Sequence, residues 1–298
     1  MPETIDEHRK FEGNLLLLLT AMIWGSTYVA QKAGMDHIGP FMYTGIRFAL
    51  GGLVLTPVML ILDRRRPRVI EKTETPSLAL TGLVAGVLLF GGTILQQVGI
   101  IYTTAGKAGF ITGLYVVIVP LLGTIWGFRP GPGGWAGALL AATGLYLLSM
   151  QNGFTPGLGD SLVLMCAFVY AVHVLVIAWL APRVDVIRLA IIQFWVCAVL
   201  SLAIGLFVEE LTLAGLRGAA IPLLYGGLLS VGVGFTLQVV AQRIAPPTHA
   251  AIILSLETVF AVITGILVLG ESLSPRGWAG CALMLAGMFA AQLQAQGE

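Results

Sequence analysis

The sequence predicts an all-α integral membrane protein with ten transmembrane helices arranged as two inverted five-helix repeats. The first observation is composition: 57% of the 298 residues are hydrophobic and 10% are charged, whereas about a quarter of a soluble globular protein is charged. The second is a series of apolar stretches near the length of about 20 residues that crosses a bilayer core. The third is a repeated motif, since Gly134-Trp135-Ala136-Gly137 returns 143 residues later as Gly277-Trp278-Ala279-Gly280.

Ten apolar segments follow one another along the chain, five in each half. The first comes after a charged stretch, Met1 to Gly13. It is too long for a signal peptide and has no convincing cleavage site, so we interpret it as the first spanning helix. The predicted segments are 14–33, 40–62, 77–98, 105–126, 133–150, 158–179, 187–207, 219–241, 248–269 and 276–293.

The repeat extends beyond the four-residue motif. An odd number of crossings per repeat brings the second copy into the membrane from the opposite side, so the predicted topology is inverted about an axis in the membrane plane. The predicted organisation is a cytoplasmic N-terminal segment, 1–13, two five-helix repeats, 14–150 and 151–293, and a cytoplasmic tail, 294–298. The matched pairs are Pro132 with Pro275, Gly144 with Gly287 and, after one residue of slippage, Gln96 with Gln238 and Leu114 with Leu256.

Lysine and arginine in the short loops predict the orientation. With the N-terminus inside, eleven of these residues lie on the inner side: Arg9, Lys10, Arg64, Arg65, Arg66, Arg68, Lys72, Arg129, Arg183, Arg188 and Arg243. The outer side holds four, Lys32, Lys107, Arg217 and Arg276. Both termini are therefore predicted to be cytoplasmic. The alternative interpretation of the run from Asp63 to Arg68 is a lipid head-group site.

Several classes of function are disfavoured. A net charge of +1 offers no basic face for a nucleic acid. The three cysteines, Cys166, Cys197 and Cys281, lie in apolar stretches at irregular spacing, which favours ordinary lipid-embedded thiols over disulfides or a zinc site. There is no phosphate loop, nucleophile elbow or metalloprotease motif in the sequence. We therefore expect no enzyme activity, no cofactor and no metal.

Glu257 is the leading functional candidate, because a charged side chain near the bilayer centre normally faces a cavity or a partner. It lies near the middle of the ninth segment, and the repeat register pairs it with Tyr115 in the fourth. Symmetry would aim both residues at one central space. The alternative is a structural carboxyl bonded to a neighbouring helix, as opposed to a group that handles substrate or protons.

Two further polar residues lie deep in predicted helices. His173 follows Tyr170 by three residues in the sixth segment, and its alternatives are a packing residue or a group that binds substrate or a proton. Arg47, in the second segment, could bind a substrate carboxylate. Pairing with a carbonyl and snorkelling toward the outer face are equally compatible with its position.

Polar stripes on several helices predict an aromatic-walled polar pocket. In the first segment Thr20, Trp24, Thr27, Tyr28 and Gln31 share one face by their spacing. Shorter stripes contain Gln96, then Phe235 with Gln238, and Gln193 with Cys197 and Ser201. An interhelical hydrogen bond explains any single glutamine, but convergence at similar depth favours a pocket. The predicted substrate-binding residues are Trp24, Tyr28, Gln96, Tyr115, Tyr170, His173, Gln238 and Glu257.

Three stretches resemble the EamA-type proteins of the drug/metabolite transporter superfamily: Trp24 to Val29, Gly109 to Val117, and Leu254 to Glu257, the last running on to Gly270-Glu271. The resemblance implies a ten-helix inverted-repeat exporter of small metabolites that uses no ATP. It further implies a bacterial inner-membrane location and is greatest for amino-acid exporters, including the aromatic amino-acid exporter. Two positions depart from the family pattern: Thr258 stands where proline is common, which puts a helix break in doubt, and Phe128 follows Gly127 where glutamate is common.

The expected function is export of small metabolites, amino acids above all, by alternating access around a central cavity. The expected partners are the small-molecule substrate and membrane lipid, with protons as a candidate co-substrate. The alternatives are a carrier of a nucleotide sugar, organic cation or drug on the same fold, and a membrane scaffold that moves no solute.

Overall fold

The computed structural model describes residues 2–65, 77–103, 105–149, 157–269 and 274–295, and these residues are helical with short turns and contain no strand. The all-α class is therefore confirmed. In this part of the chain seven helical stretches are long and apolar enough to cross a membrane. The other three predicted crossings, 105–126, 133–150 and 276–293, are helical where they are described, and the count of ten crossings stays a prediction.

Most predicted segments correspond to one helix, and three are divided. The helices are α1 (Pro2–Met35), α2 (Pro40–Arg65), α3 (Leu78–Tyr102), α4 (Ala105–Gly113), α5 (Tyr115–Ile125), α6 (Pro132–Ser149), α7 (Leu158–Leu180), α8 (Val186–Val208), α9 (Leu213–Gly218), α10 (Ala220–Leu224), α11 (Thr236–Ala241), α12 (Pro247–Ser255), α13 (Glu257–Leu269) and α14 (Pro275–Ala295). A π-helical segment, Tyr225–Phe235, joins α10 to α11.

The first helix is longer than predicted. It begins at Pro2, so the charged N-terminal stretch continues the spanning helix without a break. A helix of 34 residues is about 50 Å long at 1.5 Å per residue, which exceeds a hydrocarbon core of about 30 Å. One end of α1 therefore extends beyond the apolar layer.

Two helices are interrupted at equivalent positions of the repeat. Leu114 separates α4 from α5, and Leu256 separates α12 from α13. At each break the leucine N–H bonds three residues back, to the carbonyl of Ile111 (3.2 Å) and of Ile253 (3.1 Å). This is the tighter 3₁₀ pattern. A break therefore forms before Glu257 without a proline at position 258.

The π-helical segment is rich in glycine: Gly226, Gly227, Gly232 and Gly234 all lie within its 11 residues. π-helical turns are rare and are frequently found at functional sites. Glycine also lets neighbouring helices approach it. A Cβ placed on Gly227 would lie 2.7 Å from Leu50 Cβ of α2. The two helices can pack this closely only because position 227 has no side chain.

The repeated motif lies at a contact between equivalent helices. A Cβ on Gly137 of α6 would lie 2.7 Å from the carbonyl oxygen of Gly287 in α14, and a Cβ on Gly144 would lie 2.5 Å from that of Gly280. The contact residues rise in number along α6, from 137 to 144, while their partners in α14 fall from 287 to 280, so the two helices are antiparallel. Because the repeat register equates Gly137 with Gly280 and Gly144 with Gly287, the two contacts are related by a twofold axis. The inverted repeat is thus visible in the helix packing.

The remaining helices surround a central space. α1 packs against α13 and the π-helical segment, while α3 packs against α7 and α8. The three cysteines are free, as expected, but they are buried between helices and do not face lipid. Helix packing buries them because cysteine behaves as a small apolar residue. Arg66, Arg68, Lys72, Gly270 and Glu271 lie outside the described residues.

Candidate functional site

The structure places all eight predicted site residues around one cavity between the two halves. The cavity volume is about 50 Å³ in this structure, below the range of about 300–1,000 Å³ usual for small-molecule sites, so its walls lie close together. The predicted residues in its wall are Trp24, Tyr28, Gln96, Tyr115, Tyr170, His173, Gln238 and Glu257. Six further residues line it: Gln31, Arg47, Val174, Ser230, Phe235 and Leu254.

The two helix breaks position Tyr115 and Glu257. Tyr115 is the first residue of α5 and Glu257 the first of α13, and their side chains are buried at 4% and 5% exposure. Each therefore begins a half-helix at the cavity, and the dipole at the start of a helix favours negative charge. Within the described residues no hydrogen bond or ion pair reaches the Glu257 carboxyl. This observation disfavours a structural carboxyl bonded to a neighbouring helix.

Close contact between α1 and α13 sets the depth of this site. A Cβ on Gly25 would lie 2.4 Å from the carbonyl oxygen of Glu257 and 2.8 Å from the backbone nitrogen of Ala261. A real Cβ cannot approach backbone so closely, so only glycine allows this crossing. Gly25 follows Trp24 directly, so the close contact at this glycine brings the polar stripe of α1 near the start of α13.

Trp24 is fixed to the π-helical segment. Its Nε1 donates to the carbonyl oxygen of Ser230 (3.3 Å), and its ring centroid lies 4.5 Å from that of Phe235. A Cβ on Gly234 would lie 2.7 Å from Trp24 Nε1, so this glycine makes room for the indole. The pair of rings forms the aromatic wall that the sequence predicted, with an orientation set by backbone contacts.

Gln96 links three helices. Its Nε2 donates to the hydroxyl oxygens of Tyr28 in α1 and Thr112 in α4, both at 3.3 Å. The amide is thus one of the interhelical bonds expected for an intramembrane glutamine, and it also faces the cavity. Both interpretations of Gln96 hold for this residue.

Tyr170 and His173 come from α7. A Cβ on Gly92 would lie 2.5 Å from Tyr170 Cε1, so Gly92 provides the space for the phenol ring. His173 Nε2 lies 3.0 Å from Gln193 Oε1 of α8, so the buried imidazole is held by its neighbour and also lines the cavity. Gln193, Cys197 and Ser201 are fully buried behind it.

Not every residue of the α1 stripe reaches the cavity. Thr20 is buried and donates to the carbonyls of Leu16 (2.9 Å) and Gly234 (3.3 Å), while Thr27 donates to Ile23 (2.6 Å). Both threonines satisfy backbone carbonyls and hold the helix in place. Helical spacing found the correct face, but it could not separate cavity residues from packing residues.

Sequence reasoning left some lining residues out of the predicted set. Three of them carry a sequence signal, since Arg47 is a charge at mid-helix and Gln31 and Phe235 lie on polar stripes. Val174 and Leu254 are apolar residues in apolar helices, so no sequence signal marks them. Ser230 enters through its place in the π-helical segment, which hydrophobic periodicity does not predict.

The wall contains buried polar atoms with no partner. Gln31 Oε1, Arg47 Nε, the Tyr115 hydroxyl and Gln238 Oε1 are all inaccessible and make no hydrogen bond within the described chain. Leaving such an atom unsatisfied costs about 1–3 kcal/mol, and more when it is charged. A cavity with this lining is prepared to bind a polar solute.

A second, larger space lies beside the start of α12 and the turn between α5 and α6. Its volume is about 290 Å³, and its wall contains Lys10, Asn14, Arg129 and His249. None of the eight predicted residues lines it. Across the described residues there is no cluster of histidine, cysteine and acidic side chains that could hold a metal ion.

These features define an all-helical membrane protein with a polar cavity at the interface of two related halves. Comparison with known families matches the chain to the EamA-like transporter family twice, over residues 11–150 and 157–291. The chain belongs to the EamA-like transporter family and is a membrane transporter.

Named relatives are described as transporters. The chain is 31% identical over 279 residues to an uncharacterized transporter of Archaeoglobus fulgidus, covering 93% of this chain and 84% of the relative. It is 24% identical to the uncharacterized transporter sll0355 of Synechocystis, over 92% of this chain and 88% of the relative. It is 22% identical to the uncharacterized inner membrane transporter YedA of Escherichia coli K12, over 86% and 83%.

A solved structure, described only as the crystal structure of a protein, shares the fold. It superposes with a TM-score of 0.77 at 20% sequence identity, covering 95% of this chain and 97% of that chain. The fold is therefore an established arrangement of helices.

Proposed function

We propose that the protein exports small metabolites, amino acids above all and aromatic ones among them, through the cavity at the interface of its halves. The main support for this proposal is the lining of the cavity, which combines an aromatic wall at Trp24 and Phe235 with the carboxyl of Glu257 and several amides. Flat apolar surface suits a hydrophobic side chain, and polar groups suit a charged backbone. Substrate would be bound by the eight predicted residues.

The mechanism we propose is alternating access. Sites of inverted-repeat transporters lie between the repeats, often beside interrupted helices, and open to one side at a time as the halves rock. The breaks at Leu114 and Leu256, at equivalent positions beside Tyr115 and Glu257, support this mechanism. Glycine contacts such as Gly137 with Gly287 give the close, smooth surfaces along which helices slide.

The proposed location is the bacterial inner membrane, with both termini in the cytoplasm. The printed description of YedA as an inner membrane transporter and the excess of Lys and Arg in the predicted inner loops support it. In this orientation the space lined by Lys10 and Arg129 faces the cytoplasm, from which an exporter takes its solute.

Counterflow in proteoliposomes tests the proposal. Vesicles containing the purified protein are loaded with one unlabelled amino acid, and uptake of a labelled trace of the same amino acid is followed. We expect phenylalanine, tyrosine or tryptophan to drive uptake above that of protein-free vesicles. Uptake driven by a nucleotide sugar or an organic cation, and by no amino acid, would identify a carrier of another solute class. No uptake with any of these solutes would favour a scaffold.

A further inference from the structure

The most unusual side chain in the cavity is Arg47. It is 2% exposed and is the largest of the fully buried side chains among the described residues. Its Nε nevertheless has no hydrogen-bond partner there. The described residues give its guanidinium neither a hydrogen bond nor an ion pair. A buried charge without a counter-charge costs several kcal/mol, so this position strongly favours the arrival of an anion.

The surroundings of Arg47 hold it in place without using its donors. Its guanidinium carbon lies 5.5 Å from the Tyr43 ring centroid and 5.3 Å from that of Phe48. These cation–π contacts stabilise the charge but satisfy no N–H. Tyr43 is itself fixed, since its hydroxyl donates to the carbonyl oxygen of Pro222 (3.2 Å).

Glycine in the π-helical segment provides the room for this arrangement. A Cβ on Gly226 would lie 3.0 Å from the Tyr43 hydroxyl and 3.5 Å from Arg47 Cδ. The stem of the arginine therefore passes closely between α2 and the segment. The interpretations of snorkelling to the outer face and of pairing with a carbonyl both fail, because the group is buried and makes no hydrogen bond in the described chain.

An acidic residue, Glu257, lines the same cavity as Arg47. Glu257 and Arg47 both face it, but no ion pair joins them within the described residues. Each group is left available for a ligand. A solute with only one charge would satisfy one group and leave the other buried and unpaired, whereas a solute with both charges satisfies both.

We propose, on the basis of the transport function above, that Arg47 is the carboxylate anchor of a zwitterionic amino acid whose ammonium faces Glu257. Arginine suits this role because its planar guanidinium donates two parallel hydrogen bonds to one carboxylate. The amino-acid side chain then lies toward Trp24 and Phe235, which form the aromatic wall. The cavity thereby selects for the presence of both charged groups.

The first test compares competitors of labelled phenylalanine in the counterflow assay. Phenethylamine lacks the carboxylate, and 3-phenylpropionate lacks the amine. We expect each to compete at least about tenfold more weakly than phenylalanine, because each lacks one of the two charged groups that form hydrogen bonds with the cavity. Equal competition by phenethylamine would overturn the role of Arg47 while leaving the transport function intact.

The second test uses Arg47→Gln and Arg47→Lys. We expect Arg47→Gln to raise the KM for phenylalanine about 30-fold or more, as for truncation of one partner of a buried charge pair, and to leave competition by phenethylamine unchanged. Arg47→Lys should fall between the two, since a single ammonium keeps the charge and loses the bidentate geometry. The reciprocal variant, Glu257→Gln, should weaken phenethylamine and spare 3-phenylpropionate.

The matched control is Arg183→Gln. Arg183 is exposed at the end of α7 and stacks on Trp179, 4.8 Å from its ring centroid, so the same substitution there should leave KM unchanged. Size-exclusion profile and melting temperature in detergent report whether each variant folds. An unchanged KM in folded Arg47→Gln would overturn the proposal, and so would an Arg47→Lys variant no better than Arg47→Gln. Wild-type vesicles that move none of these solutes would refute the proposed transport of aromatic amino acids.

Discussion

Tyr115 carries a buried hydroxyl with no hydrogen-bond partner in the described chain. If its role is to bind substrate, Tyr115→Phe should raise the KM for the transported amino acid about three- to tenfold, the value of one neutral hydrogen bond. The melting temperature in detergent should be unchanged or slightly higher, because an unsatisfied polar atom is removed. Counterflow kinetics and thermal unfolding of the purified variant measure the two quantities.

The control for Tyr115→Phe is Tyr43→Phe. Both tyrosines are buried, but the Tyr43 hydroxyl donates to Pro222, so its removal should cost about 1 kcal/mol of stability. An unchanged KM in Tyr115→Phe, together with a lower melting temperature, would assign Tyr115 to packing alone.

Glu257 is the only carboxyl among the described residues that line the cavity, which makes it the candidate for proton coupling. We expect Glu257→Gln to abolish accumulation of amino acid driven by an imposed pH gradient, because glutamine cannot exchange a proton. The measurement is uptake into proteoliposomes with and without the gradient. Wild-type uptake that is indifferent to the gradient would exclude a proton role and leave Glu257 as a binding residue.

At the scale of the helix, the crossing of α1 and α13 depends on Gly25. Its Cβ position lies 2.4 Å from the Glu257 carbonyl oxygen, so Gly25→Ala must push the two helices apart. Overpacking of this kind costs about 1–3 kcal/mol. We expect a melting temperature several degrees lower and a reduced transport rate, measured on protein in detergent and in vesicles.

Gly109 is the matched control for Gly25. It also lies in a helix beside the cavity region, but the nearest atom to its Cβ position is Thr258 Cγ2 at 3.7 Å, an ordinary contact. Gly109→Ala should be neutral or slightly stabilising, since alanine favours helix more than glycine by about 1 kcal/mol. Equal destabilisation of both variants would show that close approach at Gly25 has no special importance.

The interrupted helices show how elements place residues. Spacing and apolarity predicted one continuous crossing over 105–126 and another over 248–269. The structure divides them at Leu114 and Leu256, although leucine is a strong helix former. Each break is followed directly by a residue that lines the cavity, Tyr115 after the first and Glu257 after the second.

For the whole molecule, the orientation in the membrane follows from the predicted distribution of Lys and Arg. Arg183 lies in a turn predicted to be inside, and Arg217 lies in α9, in a stretch predicted to be outside. We expect a membrane-impermeant maleimide to label Arg217→Cys in intact cells and Arg183→Cys only after permeabilisation. The native cysteines are buried and should give little background.

Labelling at the two ends completes this test. Cysteines introduced at Glu3 and at Glu298 should both require permeabilisation, because an even number of crossings returns the chain to its starting side. One end labelled from each side would contradict the ten-crossing prediction. Both ends labelled in intact cells would keep the even count and reverse the orientation.

The twofold relation between halves is the feature that the sequence specified most directly. The recurrence of Gly134 to Gly137 as Gly277 to Gly280 predicted equivalent helices, and α6 and α14 pack on these glycines. Backbone approach in a membrane needs small residues, so the motif is visible as a pattern of letters. The register also paired Tyr115 with Glu257, and both face the same cavity.

The sequence by itself determined the all-helical membrane class, the pairing of halves and the eight residues that converge on the cavity. These follow from apolar length, repeated letters and the cost of placing polar groups in hydrocarbon, all of which are properties of the chain. The tertiary structure alone decided that Arg47 is unpaired, that Thr20 and Thr27 serve packing, and that the π-helical segment brings Ser230 and Phe235 into the wall. Those outcomes depend on which atoms of distant helices meet, and spacing along one helix carries no information about its neighbours.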